Sequence, residues 1–158
     1  MDKTITTALL IIAGVVCSIF VFNSVFPMVN RSSQAVVSMA DKIDDRMQSR
    51  ISIVHATNTE DHKTIYIWVK NVGTSRIVSI KDSDIFFGPE NNYARIPYVD
   101  EVGASKPWWN YTIENGAEWL PSATVKITIT YDTDPGVGTY YLKVIIPNGI
   151  SDEYYFSM

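Results

Sequence analysis

Residues 4–29 read TITTALLIIAGVVCSIFVFNSVFPMV, and no charged side chain occurs between Lys3 and Arg31. A bilayer core takes roughly 20 apolar residues in helix, so this run is long enough to cross with some tilt. Soluble core helices carry a polar face and are seldom apolar all round. The stretch therefore reads as a membrane-spanning helix. A removable secretory signal has an apolar region of about 7–15 residues and a small-x-small cleavage site. Here the run is longer and ends on Phe26, Pro27 and Met28, which argues against removal.

Beyond Pro27 the apolar residues continue at helical spacing, at Val36, Ala40, Ile43, Met47 and Ile51, with Gln34, Asp41, Lys42, Asp44, Asp45 and Gln48 between them. That spacing predicts an amphipathic stem helix that leaves the membrane after a kink or break at Pro27. The stripe Val36, Ala40, Ile43 and Met47 has two readings. It packs on the chain's own C-terminal domain, or it packs against helices of neighbouring subunits. Within the bilayer, Ala8, Ala13, Gly14 and Ser18 give a small-residue face on which backbones can approach. Lys3 precedes the helix and Arg31, Lys42, Arg46 and Arg50 follow it, so charge alone does not orient it. The exterior character of the C-terminal part sets the expectation: N-terminus inside, residues from about Ile51 outside.

From Arg50 the period changes from helical to alternating. In TIYIWVKNVG, Ile65, Ile67 and Val69 face one way and Tyr66, Trp68 and Lys70 the other. Asn71 to Thr74 reads as a turn, Arg76 to Ile80 as the next strand and Asp84 to Phe87 as another, stopped by Gly88-Pro89. Val125 to Tyr131, Tyr140 to Ile146 and Ser151 to Ser157 follow, separated by Asp132 to Gly136 and Pro147-Asn148-Gly149. Tyr98 to Ala117 is the least regular stretch, expected as an ordered loop or a bulged edge strand. About seven short strands with no helical segment among them read as an antiparallel sandwich with Greek-key or immunoglobulin-like connections. The expected fold class is α+β: a long N-terminal hydrophobic helix over residues 1–50, then an all-β antiparallel sandwich over 51–158. With no Gly/Ser linker at the junction, the two parts are expected to be rigidly related.

Little of the remaining chemistry points to catalysis. Cys17 is the single cysteine and lies in the apolar run, so it cannot form an internal disulfide or a cysteine-based metal site. His55 and His62 lie in or beside an early turn and read as surface residues. No phosphate loop or nucleophile elbow is present, and no cofactor is expected. Asp82 with Asp84, and Asp132 with Asp134, could each offer carboxylates to calcium, but neither has EF-hand spacing, and turn acids are the plainer reading. A net charge of −4 excludes a broad nucleic-acid surface. Adjacent Trp108 and Trp109 must face opposite sides of an extended chain, so both cannot enter one core: one is left for an outer contact loop, to a subunit or to sugar, or the stretch is an ordinary packed loop. Asn110-Tyr111-Thr112 is a glycosylation sequon in the same stretch, and Asn30-Arg31-Ser32 is another at the membrane edge.

These features together resemble the archaeal flagellin (archaellin) superfamily, whose members share a type IV pilin-like architecture. The whole chain fits it: a short charged N-terminus, an apolar helix running into an amphipathic one, then a β-sandwich. The strand and turn Ile65 to Thr74, followed by Ile85-Phe86-Phe87-Gly88, are most similar to the archaellum accessory proteins FlaG and FlaF. The resemblance implies an archaeal surface protein without enzymatic activity, supporting swimming motility. Its partners would be copies of itself or other archaellum subunits, met through the N-terminal helix, together with the membrane and a surface-layer protein. Processed family precursors carry a basic residue and then glycine before the apolar run. Met1-Asp2-Lys3 meets Thr4 with no glycine, so peptidase removal of Met1 to Lys3 is not expected. Three readings follow: an archaellum component, either accessory anchor or minor filament subunit; another pilin-like adhesive filament subunit; or a membrane-anchored module that binds surface-layer protein or glycan.

Overall fold

The computed structural model describes residues 2–103 and 105–158. Met1 and Ala104 lie outside them, and with them part of the expectations on processing and on the Tyr98 to Ala117 stretch. The chain forms two compact units, one ending at Ile43 and the other comprising Asp44–Met158.

Helix α1 runs without interruption over Asp2–Gln48 and contains Pro27. Of the kink or break expected there, the break does not occur: a membrane-type helix tolerates proline where neighbouring groups and local adjustments re-satisfy the freed carbonyl. Thr6, Thr7 and Ser18 return their hydroxyls to carbonyls one turn back, at 2.7, 2.7 and 2.8 Å, which keeps these polar groups satisfied inside an apolar helix. Every residue from Asp2 to Gln48 is exposed, and the helix is long and apolar enough to cross a membrane.

Among the described residues the second unit holds eight strands: β1 Ile51–Asn58, β2 Thr64–Asn71, β3 Asp84–Pro89, β4 Ala94–Ile96, β5 Trp108–Glu114, β6 Thr124–Thr130, β7 Thr139–Ile145 and β8 Ser151–Ser157, with a short helix α2 at Val99–Val102. They make two four-stranded antiparallel sheets, ordered β1-β2-β6-β5 and β4-β3-β7-β8. Lettered from A along the chain, with β4 as C′, this is the ABED sheet facing the C′CFG sheet of an immunoglobulin-like sandwich. Alternation dictates the core. Ile65, Ile67 and Val69 of β2 meet Val125, Ile127 and Ile129 of β6 in register, and all are buried against Ile85, Phe87, Leu142 and Val144 of the other sheet.

Two expectations are corrected here. Arg76 to Ile80 is not a strand: only Ile77 bridges, to Trp119, before a 3-10 turn at Ile80–Asp82 carries the chain to the second sheet. Ser79 has φ 56°, a left-handed conformation that ends extended pairing. Conversely, Trp108–Glu114 is a regular edge strand whose register on β6 contains no bulge.

The sandwich has a tyrosine corner. Tyr140, at the start of β7, donates its hydroxyl to the Pro135 and Gly136 carbonyls at 2.7 and 2.9 Å, the strand F position at which immunoglobulin-like domains place such a residue.

The last turn of α1 belongs to this second unit. The Gln48 carbonyl accepts from Thr74 N–H at 2.8 Å, Gln48 Oε1 accepts from the Ser75 hydroxyl at 2.9 Å, and Arg46 Nε donates to the Asn148 carbonyl at 2.9 Å. Gly73 sits against this turn, where an added Cβ would strike the Gln48 carbonyl and come within 2.6 Å of Arg50 N. Beside it, buried Asn71 accepts from Gly73 N–H at 3.0 Å and donates to the Ser75 and Trp119 carbonyls at 2.8 and 3.3 Å. The Asn-Val-Gly turn is therefore a connector whose side chain and missing side chain both have work to do.

Candidate interaction surfaces

The stem residues Val36, Ala40, Ile43 and Met47 are all exposed, Met47 at 80%. Apolar side chains at helical spacing that stay in solvent or lipid leave a continuous stripe open to another helix.

On β5 the structure separates the two tryptophans. Trp109 is fully buried, edge-on to Tyr98 at 4.9 Å, while Trp108 is half-buried on the outer face of the sheet. The expected outer contact loop is thus an ordered strand, and only Trp108 reaches the surface, because successive strand residues point to opposite faces. Asn110 lies on the same outer face, two residues along. The other sequon asparagine, Asn30, lies within α1.

Strand register arranges that outer face in rows across the sheet: His55, Trp68, Lys126, Thr112; then Thr57, Tyr66, Thr128, Asn110; then Thr64, Thr130, Trp108. His55 stacks on Trp68 at 5.7 Å, and Lys126 Nζ lies 4.9 Å from the Tyr66 ring centre. His55 is thus an exposed strand residue beside the turn that follows β1, as expected.

Of the two acid pairs, Asp84, Asp132 and Asp134 face basic side chains. Asp84 Oδ1 accepts from Arg95 Nε at 2.6 Å, and Glu101 takes the other two Arg95 nitrogens at 3.0 and 3.1 Å. These hydrogen bonds, Glu101 first and Asp84 second, hold the Arg95 guanidinium far above its ordinary range, and the bond from Arg95 holds the Glu101 carboxyl below its own. Asp132 pairs with Lys106 at 3.5 Å; Asp134 faces His62 at 3.4 Å and accepts from Gly136 N–H at 2.7 Å. Among the described residues no group of three or more His, Cys, Asp or Glu side chains is placed to hold a metal ion. The Arg95 cluster, which ties β4 to β3 and α2, was not foreseen. Its partners are distant in sequence or lie in the irregular stretch, and no periodic pattern marks them.

An apolar helix of membrane-crossing length followed by an immunoglobulin-like sandwich is the architecture of a pilin-like structural protein. The archaeal-type flagellin profile matches residues 3–156, and the chain belongs to that family. It is 27% identical over 164 residues to an uncharacterized protein of Archaeoglobus fulgidus, covering 98% of each. Among solved structures it is similar to the archaellum periplasmic stator protein FlaG from Sulfolobus acidocaldarius, with TM-score 0.59 and 26% identity over 68% of this chain and 99% of that one. It is likewise similar to the periplasmic stator protein complex of FlaF and FlaG from the same organism, with TM-score 0.58 and 28% identity over 67% of this chain and 87% of that one. The protein is a structural, non-enzymatic, archaellum-associated component.

Proposed function

We propose that the protein is an accessory, stator-type anchor of the archaellum rather than a subunit of its filament. In this reading α1 holds it in the membrane, the sandwich lies on the outer side, and its partners are other archaellum subunits and a fixed element of the envelope such as the surface-layer protein. The observation that supports this most is the likeness to FlaG, which takes in 99% of that stator protein. It is joined here to a helix of membrane-crossing length. A stator has to be immobile, and a spanning helix is a costly element to withdraw from lipid.

Fractionation tests the proposal. After filaments are sheared from cells, the protein should stay with the membrane, and cells lacking it should build filaments that do not propel them. Recovery in sheared filaments in amounts comparable to the filament subunit would overturn the reading. Protease added to cells stripped of their surface layer should remove the sandwich; full protection would refute the outward orientation.

A further inference from the structure

Each sandwich edge raises the same question: where do its outward backbone groups go? An unprotected strand edge is a template for another strand, and natural proteins normally cover or interrupt it. On one side, β1 and β8 lie against each other, and Ile53 N–H of β1 donates to Asp152 Oδ2 of β8 at 2.7 Å. On the other side β4 is only three residues long, and β5 is the edge of the first sheet.

Strand β5 is covered at its start, where Trp109 N–H donates to the Pro97 carbonyl at 3.0 Å. That bond fixes the phase of the strand: odd-numbered residues turn their N–H and C=O away from β6. The phase agrees with β6, whose odd residues face β2, as in the bonds Asn71 N–H to Ala123 O and Tyr131 N–H to Lys63 O, both 2.9 Å or shorter. The outward groups of Tyr111 and Ile113 have no partner among the described residues. Past β5, the bond from Ile77 N–H to Trp119 O closes the side again at 3.1 Å. Between these two bridges lies an open groove of about 370 Å³, whose lining includes Tyr111, Ile113, Ile80 and Trp119.

We propose that this window is an interface with a second copy of the chain, formed by antiparallel pairing of β5 with β5 about a two-fold axis through Thr112. The strand is self-complementary in this register. Tyr111 of each copy falls opposite Ile113 of the other, and because both carry outward N–H and C=O groups, all four donors and all four acceptors pair in four hydrogen bonds. The side chains of the same two residues face inward, so each copy brings an apolar pair to the groove of the other. On the outer face Thr112 meets Thr112, and Glu114 meets the amide of Asn110, with no like charges opposed. The occupant is an extended strand because only an extended backbone presents donors and acceptors at the spacing of this edge.

The test uses the full chain in its membrane, with Cys17→Ser removing the thiol in α1. In a non-hydrogen-bonded antiparallel pair the Cα atoms lie about 4.5 Å apart, within the range a disulfide spans. Thr112→Cys should therefore give a covalent dimer on mild oxidation, in yield several-fold above Thr128→Cys on the central strand β6. Adding Ile113→Pro removes an outward N–H without removing any bond to β6, and proline is tolerated at such an edge. It should abolish the Thr112→Cys cross-link while leaving the strand spectrum by circular dichroism unchanged. Equal cross-linking at both cysteines, none at Thr112→Cys, or an undiminished cross-link in the proline variant would overturn the proposal.

Discussion

The Ile53 amide of β1 donates to the Asp152 carboxylate of β8 at 2.7 Å, so a side chain from one sheet caps the backbone edge of the other. A hydrogen bond to a charged group contributes about 1.5–3 kcal/mol, and removing the acceptor leaves a partly buried donor unmet. Asp152→Ala should lower unfolding stability by about that amount, measured by urea denaturation, with Asp152→Asn recovering part of it. An Ala variant as stable as the parent would mean that solvent already satisfies Ile53.

Gly73→Ala should be disproportionately damaging for the gain of a single methyl group. The new methyl meets backbone at Gln48 and Arg50, which cannot rotate away as a side chain would. The last turn of α1 should detach, and proteolysis at Arg50 should accelerate while the strand spectrum persists. Unchanged cleavage at Arg50 would show that the turn yields without cost.

At the tyrosine corner, Tyr140→Phe removes a hydroxyl bonded to two carbonyls and should cost about 1–2 kcal/mol. Neighbouring Tyr131 gives a pH signature. Burial, and then the nearby Tyr140 hydroxyl, push it up from 10.0 to about 12. Its folded pKa exceeds its unfolded one, so the stabilisation is complete below pH 10 and is lost as pH rises toward about 12. Tyr131→Phe should flatten that alkaline decline in thermal denaturation scans; an identical decline would place its cause elsewhere.

Ile43→Asp places a charge in the exposed stem stripe and should abolish association with partner subunits, and with it motility, while the sandwich stays folded. Continued swimming with normal co-purification of partners would reduce the stem to a spacer.

Much of this architecture was legible because both parts are periodic. A charge-free run of membrane length and the alternation of Ile65, Ile67 and Val69 each leave one reading of the local structure. The segments that escaped are those in which tertiary contacts override local pattern. Val78 and Ile80 alternate as in a strand, yet left-handed Ser79 turns the chain between sheets. Trp108–Glu114 looked irregular because both its tryptophans are large, although one side of the strand is core and the other is surface. The uses of Asn71 and Gly73 could not be read either, since both depend on the helix end lying against them. The turn itself was visible, but its contacts were not.

That helix end also decides how force enters the domain. Gln48 is bonded to Thr74 and Ser75, which follow β2 of one sheet, whereas Arg46 is bonded to Asn148, in the turn between β7 and β8 of the other. Tension arriving at Asp44–Gln48 is therefore divided between the two layers before it reaches β1. An edge strand pulled alone would peel away from β2 one hydrogen bond at a time. Sharing the load across both layers makes the sandwich yield as a unit.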